Sequence, residues 1–379
     1  MLRFGARAAV AVPLLVMGLL VLQACAVSAD EVQRARELTD EGWWDDAQAL
    51  LLDLLERDDA NPEIYNNLAE IHMMRLVRNP ETEWGDMEKY AKKAVELDGT
   101  KASYYITLAD VLGLEAQHGS KLRAMGRAKG GRKAIEAALE LEPDNLEARE
   151  WLFQYYLQAP GFAGGDKDKA KIQAREVAKI DSVEGFLYWA FLYEFEDEDF
   201  GAAEAEYLKA LAANPEEPEP YFSYAYFSSR RGEPDKAKDT AMKLLDKDWI
   251  DDATRARVHM DLGFMHQSSE EWASAIAEFS LALEADSTAM RAVYQMGRTY
   301  IFAETNLDEA ERLYNLYLSQ PRLKGWWPSK ADAHYRLAMV YDLKGDEVAA
   351  KEEVEKALKL NPDHDGARDL KRDLISGRN

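Results

Sequence analysis

The chain has 379 residues, with 47 Lys and Arg against 70 Asp and Glu and a net charge of −23. Residues 1–29 hold Arg3 and Arg7 and no acid, so the remainder sets 45 cations against 70 acids, a net charge of −25. Such a field repels phosphate backbones and anionic lipid heads, which argues against nucleic-acid and peripheral membrane partners and favours basic or neutral ones; with 47% hydrophobic residues the chain can still bury a core.

The first element in chain order is a leader. Arg3 and Arg7 precede an apolar run from Ala8 to Leu22, followed by small residues at Ala24, Ala26, Ser28 and Ala29, the layout of a secretory signal. Left uncleaved, that run would be only slightly short of the roughly 20 residues a membrane span needs. Val21-Leu22-Gln23-Ala24-Cys25 resembles a bacterial lipoprotein box, with Cys25 as the lipidated first residue of the mature chain, while Val27-Ser28-Ala29 before Asp30 equally suits ordinary signal peptidase. Lipid-anchored and free forms therefore both stay open. The expected domains are a signal over 1–29, a continuous helical body over 30–376 and a tail over 377–379. The expected location is the periplasm, or the periplasmic face of the outer membrane, of a Gram-negative bacterium. Cys25 is the only cysteine, so neither an intramolecular disulfide nor a Cys-based zinc site can form.

After the leader one spacing recurs: a small residue, an apolar residue four on, another seven on, and Pro, Ser or Asp twelve on. Ala47, Leu51, Leu54 and Asp59 give the first copy; Gly131, Ile135, Ala138 and Pro143 a later one. Ala170, Ala174, Val177 and Ser182 follow it, as do Ala203, Tyr207, Ala210 and Pro215. Ala275, Phe279, Ala282 and Ser287 match Ala350, Val354, Ala357 and Pro362, and weaker copies begin at Met87, Ala237 and Ala310. Offsets of four and seven share one helix face, and the residue twelve on marks a break. Upstream of each lies a second amphipathic segment, with Leu or Met three residues after an apolar residue, then a small residue, then an aromatic or His: Tyr65, Leu68, Ala69, His72; Tyr105, Leu108, Ala109, Leu112; His259, Leu262, Gly263, His266; Val293, Met296, Gly297, Tyr300; His334, Leu337, Ala338, Tyr341.

This two-helix pattern resembles the tetratricopeptide repeat, with its Trp-Leu-Gly-Tyr first helix and Ala-Phe-Pro second helix over about 34 residues. The resemblance covers everything after the leader and implies an all-α fold, an α-solenoid (right-handed superhelix) of about nine hairpins. The units are 28–61, 62–100, 102–145, 146–183, 184–217, 218–253, 256–289, 290–329 and 331–364, with Gly366 to Ser376 as a polar capping helix. A hairpin cannot bury its apolar face alone, so neighbours must stack.

Three units carry insertions, around Arg75 to Asp86, Glu115 to Gly131 and Gln158 to Lys169; extra loops side by side on one edge are a common place for function. The third unit's insertion holds Lys121, Arg123, Arg127, Lys129, Arg132 and Lys133, an anion site or a set of solvated and ion-paired charges. Gly126 to Gly131 lacks the Lys-Ser/Thr pair and the strand of a P-loop. Gly164-Gly165 before Asp166 offers either free amides to an anion or a turn with Asp166 as helix cap.

Catalytic chemistry finds no pattern. The histidines His72, His118, His259, His266, His334 and His364 make no HExxH pair, and His72, His259, His266 and His334 occupy helix-packing slots. Asn361, Asp363, Asp365 and Gly366 imitate a calcium loop whose twelfth place, Arg372, is wrong for a bidentate ligand. There is no Gly-x-Ser-x-Gly elbow, and the acids Glu194, Glu196, Asp197, Glu198 and Asp199 read as a solvated turn. No cofactor, metal or catalytic residue is expected.

The resemblance places first helices on a concave wall. The residues it turns that way are Tyr188, Leu192, Phe222, Tyr226, Met260, Phe264, Tyr294, Arg298, Tyr335 and Met339 in the C-terminal half, and Asn66, Glu70, Asp110 and Gln154 in the N-terminal half. Aromatics, Met and Arg suit a protein or peptide site, although aromatic stripes also serve as core. The basic clamp by which some family members hold a peptide carboxylate is not recognisable. The expected function is a non-catalytic envelope scaffold that binds a protein or peptide. A permanent structural subunit anchored by Trp43-Trp44 and Trp326-Trp327-Pro328 stays open, as does a small-molecule-binding or enzymatic role for the inserted loops.

Overall fold

The computed structural model describes residues 27–78, 85–118 and 121–376. Cys25 and the leader to residue 26, residues 79–84 and 119–120 within two insertions, the side chains of His118 and Lys121, and the tail lie outside the described residues. Among the described residues there are nineteen α-helices and no strand. They are α1 (Ala29–Asp40), α2 (Trp44–Arg57), α3 (Pro62–Arg78), α4 (Gly85–Leu97), α5 (Ala102–His118), α6 (Lys121–Leu141), α7 (Leu146–Gln158), α8 (Lys167–Ile180), α9 (Ser182–Phe191), α10 (Phe200–Ala213), α11 (Pro218–Arg230), α12 (Pro234–Leu245), α13 (Asp252–Ser268), α14 (Trp272–Ala285), α15 (Met290–Phe302), α16 (Leu307–Leu318), α17 (Lys330–Leu343), α18 (Glu347–Leu360) and α19 (Asp365–Ser376). Taken in pairs they are the nine expected hairpins, with α19 closing the array.

The recurring triplet is the core of each second helix. Ala47, Leu51 and Leu54 of α2 are wholly buried, as are Ala275, Phe279 and Ala282 of α14 and Ala310, Tyr314 and Tyr317 of α16. The small first member lets the paired helix approach. On the first helices the glycines do the same: a Cβ on Gly263 would run into the Phe279 ring, and one on Gly297 would stand 2.8 Å from Tyr314.

Turns inside the hairpins share one geometry. Gly42, Gly232 and Gly345 take positive φ, and the next residue donates its N–H to the carbonyl five positions upstream: Trp43 to Leu38 at 2.8 Å, Glu233 to Ser228 at 2.9 Å, Asp346 to Tyr341 at 2.9 Å. This satisfies carbonyls that the helix end leaves orphaned. Side-chain caps start many helices, with capping boxes at Ser28–Glu31 and Ser329–Asp332 and Asp caps at Asp181, Asp199, Asp251 and Asp346.

Packing divides the chain into two units, 1–173 and 174–379, the boundary falling within α8. In unit 1, α1 to α3 share a core of Val32, Leu51, Leu54, Ile64, Leu68 and Ile71. In unit 2, α14 to α17 surround Phe279, Val293, Tyr314, Tyr317 and Leu337, and α19 lays Leu370 and Leu374 on Ala338, Ala350 and Val354. Trp327 belongs to the first of these cores, 7% exposed, which corrects its reading as a surface anchor; Trp326 stays exposed.

The acid turn after α9 needs a second correction. One π-helical turn, Leu192–Glu196, swings Glu194 inward to 5% exposure. It accepts from Arg230 Nε at 2.7 Å, Arg230 Nη2 at 2.8 Å and the Tyr207 hydroxyl at 2.9 Å. Only its neighbours are solvated.

Two outcomes check this packing. Gly263→Ala should destabilise the chain by about 1–3 kcal/mol through overpacking, whereas Gly126→Ala, on an open face of α6 with nothing within 4 Å, should gain up to about 1 kcal/mol. Arg230→Met should cost roughly 3 kcal/mol or more by stranding the Glu194 carboxylate; denaturant midpoints report both.

Candidate functional site

Unit 2 carries the ten residues expected to face a partner, and the structure divides them. Leu192, Phe222 and Tyr294 are 0%, 3% and 5% exposed: the π turn rotates Leu192 inward, Arg257 covers Phe222 at 3.7 Å from the ring centroid, and Tyr294 meets Tyr314 and Tyr317 edge-on, each at 5.4 Å. Packing has claimed these three, so they offer no surface. Tyr226 is 38% exposed, its hydroxyl donating to Asp261 Oδ2 at 2.8 Å. Tyr188, Met260, Phe264, Arg298, Tyr335 and Met339 are half-buried.

Arg298 on α15 and Arg336 on α17 come together around Tyr294. Burial first, and the charge of Arg336 next, hold the Arg298 guanidinium below its usual pKa. Arg336 reaches the Tyr294 hydroxyl and donates to Met339 Sδ at 3.3 Å; Arg298 lies over Phe302 at 4.9 Å. The Nε of each is buried without an acceptor, and neither forms an ion pair among the described residues. Arg336, beside the Tyr294 hydroxyl, is raised above its usual pKa, so the cost of the like charges falls on Arg298, in a pair that no carboxylate among the described residues joins. Sequence reading listed Arg298 but missed Arg336, which lies one place off the expected stripe.

Unit 1 holds a cavity of about 810 Å³ between α5, α6 and α7. Asp110 and Gly113 line it from α5, Ala124, Met125 and Ala128 from α6, and Glu147, Glu150, Trp151 and Tyr155 from α7; Pro160 and Phe162 close it from the loop that follows. The third unit's insertion, from Glu115 to Gly131, is built as a lengthened helix pair, with added turns of α5 and the 21-residue helix α6. Gly131 makes room for an indole, since a Cβ there would lie 2.8 Å from Trp151. Trp151 stacks on Tyr155, centroids 5.5 Å apart and planes 14° from parallel, and donates to Asp110. Burial, then the charges of Glu147, Glu70 and Glu150, pushes Asp110 up to about 7. Glu70, behind it, accepts from Asn66 at 2.7 Å and Thr107 at 3.2 Å and is raised by burial. Gln154 also lines the cavity.

In the two stretches of the insertions that could hold an anion, it is the structural alternative that has support. Arg127 is paired with Glu88 and with Glu115, the latter at 2.8 Å, so it ties α6 to α4 and α5, while Arg123 and Lys129 point into solvent. The Gly164 and Gly165 amides are spent on Gly161 and Pro160 carbonyls at 3.1 and 3.2 Å. Gly164 has φ 108°, and a Cβ on Gly165 would collide with the Ala159 carbonyl; these are steric requirements of the turn. Asp166 caps α8 through the amides of Asp168 and Lys169.

Two histidines join the helices of single hairpins, His259 to Glu278 at 2.7 Å and His334 to Glu353 at 2.6 Å, while His72 reaches Gln48 of the preceding hairpin. Among the described residues no group of His, Cys, Asp and Glu is arranged to hold a metal, and no helix is long and apolar enough to cross a membrane.

Comparison with known proteins places the repeat. Residues 206–239 and 331–364 each match the tetratricopeptide repeat. A TPR repeat-containing protein of Methanocaldococcus jannaschii is 28% identical over 180 residues, 46% of this chain and 25% of the relative, so the match spans a quarter of that protein's length. Among solved structures, yeast Tom70 aligns over 92% of this chain and 88% of its own at 13% identity with a TM-score of 0.45. Pseudomonas aeruginosa pilF aligns over 60% of this chain and 98% of its own at 18% identity with a TM-score of 0.42.

The state of Asp110 has a measurable sign. Its folded pKa of about 7 lies above the unfolded value of about 3.9, so its contribution is complete below about pH 4 and is lost as pH rises through about 7. Asp110→Asn should therefore melt higher than wild type near pH 8, the gap closing toward pH 4; equal melting near pH 8 would reject the burial of that charge.

Proposed function

We propose that the chain is a non-catalytic protein-interaction scaffold, exported to the bacterial envelope and held there through Cys25 or free in the periplasm, that grips a protein or peptide partner through unit 2. The observation that carries this reading is the Arg298–Arg336 pair, two guanidiniums without a carboxylate beside the half-buried Phe264, Tyr335 and Met339. A carboxylate on the partner would complete them, and the surrounding aromatic and thioether surface would bury apolar neighbours. The two tetratricopeptide matches and the repeated hairpins support a scaffold; export rests on the leader's sequence pattern.

The experiment is crosslinking and affinity recovery of the mature chain from cell envelopes, with wild type beside Tyr226→Ala/Arg298→Gln/Arg336→Gln. Recovery of the partner should fall by about tenfold or more, as losing a charge-assisted contact implies, with the melting temperature unchanged or raised by relief of like-charge repulsion. Full recovery by the triple variant would remove unit 2 from the reading. Membrane retention lost in Cys25→Ser would identify the anchor; equal fractionation of the two would favour the free form.

A further inference from the structure

We infer that the unit 1 cavity between α5, α6 and α7 is a binding site for a small organic cation, an ammonium carried on an apolar body. This inference is independent of the unit 2 reading.

Size and walls come first. About 810 Å³ lies within the roughly 300–1,000 Å³ of small-molecule sites. One side is apolar and partly flat: the stacked Trp151 and Tyr155, Met125, and Phe162. Phe162 is 76% exposed on a one-turn 3-10 helix, and an occupant would cover the face it now shows to water. Gly131 leaves room for the Trp151 ring, where a Cβ would lie 2.8 Å from it, and the indole lies beside Asp110.

Charge then chooses the occupant. Asp110, Glu147 and Glu150 line the cavity, and none of the lining side chains is cationic. Glu88 of α4 and Glu115 of α5 are treated differently, since Lys92 and Arg127 together supply their counter-charges. None of the three cavity carboxylates has an ion-pair partner among the described residues; Glu70 on α3, close behind Asp110, is answered in part by the Arg36 charge and by Asn66 and Thr107. Burial and neighbouring carboxylates raise Asp110, and burial and the Glu147 charge raise Glu150; a ligand bearing positive charge relieves both, and the aromatic faces favour the same sign. An anion would meet the opposite on every count. A second cavity of about 420 Å³ shares Asp110, Gly113, Gln117 and Trp151, so the carboxylate stands where the two spaces meet and either can take the apolar body.

The test is calorimetric titration of the purified mature chain with 4-phenylbutylamine and tryptamine, beside the neutral 4-phenylbutanol and the anionic 4-phenylbutyrate. The amines should bind about tenfold or more tightly than the alcohol, and the carboxylate more weakly still. Amine affinity should rise between about pH 5.5 and about pH 8 as Asp110 ionises, with Glu147 and Glu150 lining the same cavity and Glu70, partly offset by Arg36, behind Asp110. Asp110→Asn should bring the amines to the level of the alcohol. Phe162→Ala, which removes only an exposed wall, should weaken amines and alcohol alike without moving the melting temperature. Equal binding of amine and alcohol, amine affinity indifferent to Asp110→Asn, or no amine binding would each overturn the assignment. Capture of a short lysine peptide but neither free amine would also overturn it, making the cavity a protein-docking site.

Discussion

A helix hairpin of about thirty-four residues has more apolar surface than its own two helices can cover, and the rest of this molecule follows from how that surface is closed. Each second helix contributes three fully or almost fully buried positions, and the first of them is usually alanine. With no side chain beyond Cβ at that point the paired helix approaches closely, and larger partners such as Phe279 and Tyr314 fill the space between. Stacking then covers what is left, and the last exposed stripe is covered by Ala367, Leu370 and Leu374 of α19. The same closeness explains why glycines on first helices are steric requirements, since the facing ring occupies the place a methyl would take.

Where units depart from the repeat, the constraint is met by different means. The third insertion lengthens two helices, and the widened space is not filled by added apolar side chains. Trp151 is drawn in against Gly131, a chamber stays open beside it, and carboxylates line that chamber. A stack optimised only for stability would have placed leucines there. In the loop after α7 the Gly164 and Gly165 amides are used by the turn itself and Asp166 caps α8.

Charge is distributed with the same economy. Glu194, taken inside by a π turn, is fully answered by Arg230 and Tyr207. Arg298 and Arg336 receive no such answer, and neither do Asp110, Glu147 and Glu150. Unit 2 thus presents locally unbalanced positive charge and unit 1 locally unbalanced negative charge. Both lie beside aromatic surface, the setting in which an added ligand charge counts most because water screens it least.

Composition and periodicity by themselves determined the helical class, the number of hairpins and the residues at the centre of every second helix. These rest on local rules: a 3.6-residue period, a small residue where helices cross, and a cap or breaker between. The interhelical place of the histidines was legible for the same reason, as His259 and His334 hold equivalent slots and reach equivalent glutamates. Which surface residues stay available was decided only in three dimensions. Leu192, Phe222 and Tyr294 share a stripe with Tyr226 and Met260, yet a π turn and the rings of α16 bury some members of that stripe and not others. Asp110 and Trp151 stand forty-one positions apart, and Arg298 and Arg336 thirty-eight. No periodicity within one helix records that they meet, because the meeting is made by the packing of separate hairpins, and the charge environment of each depends on which neighbours that packing brings and which it leaves out.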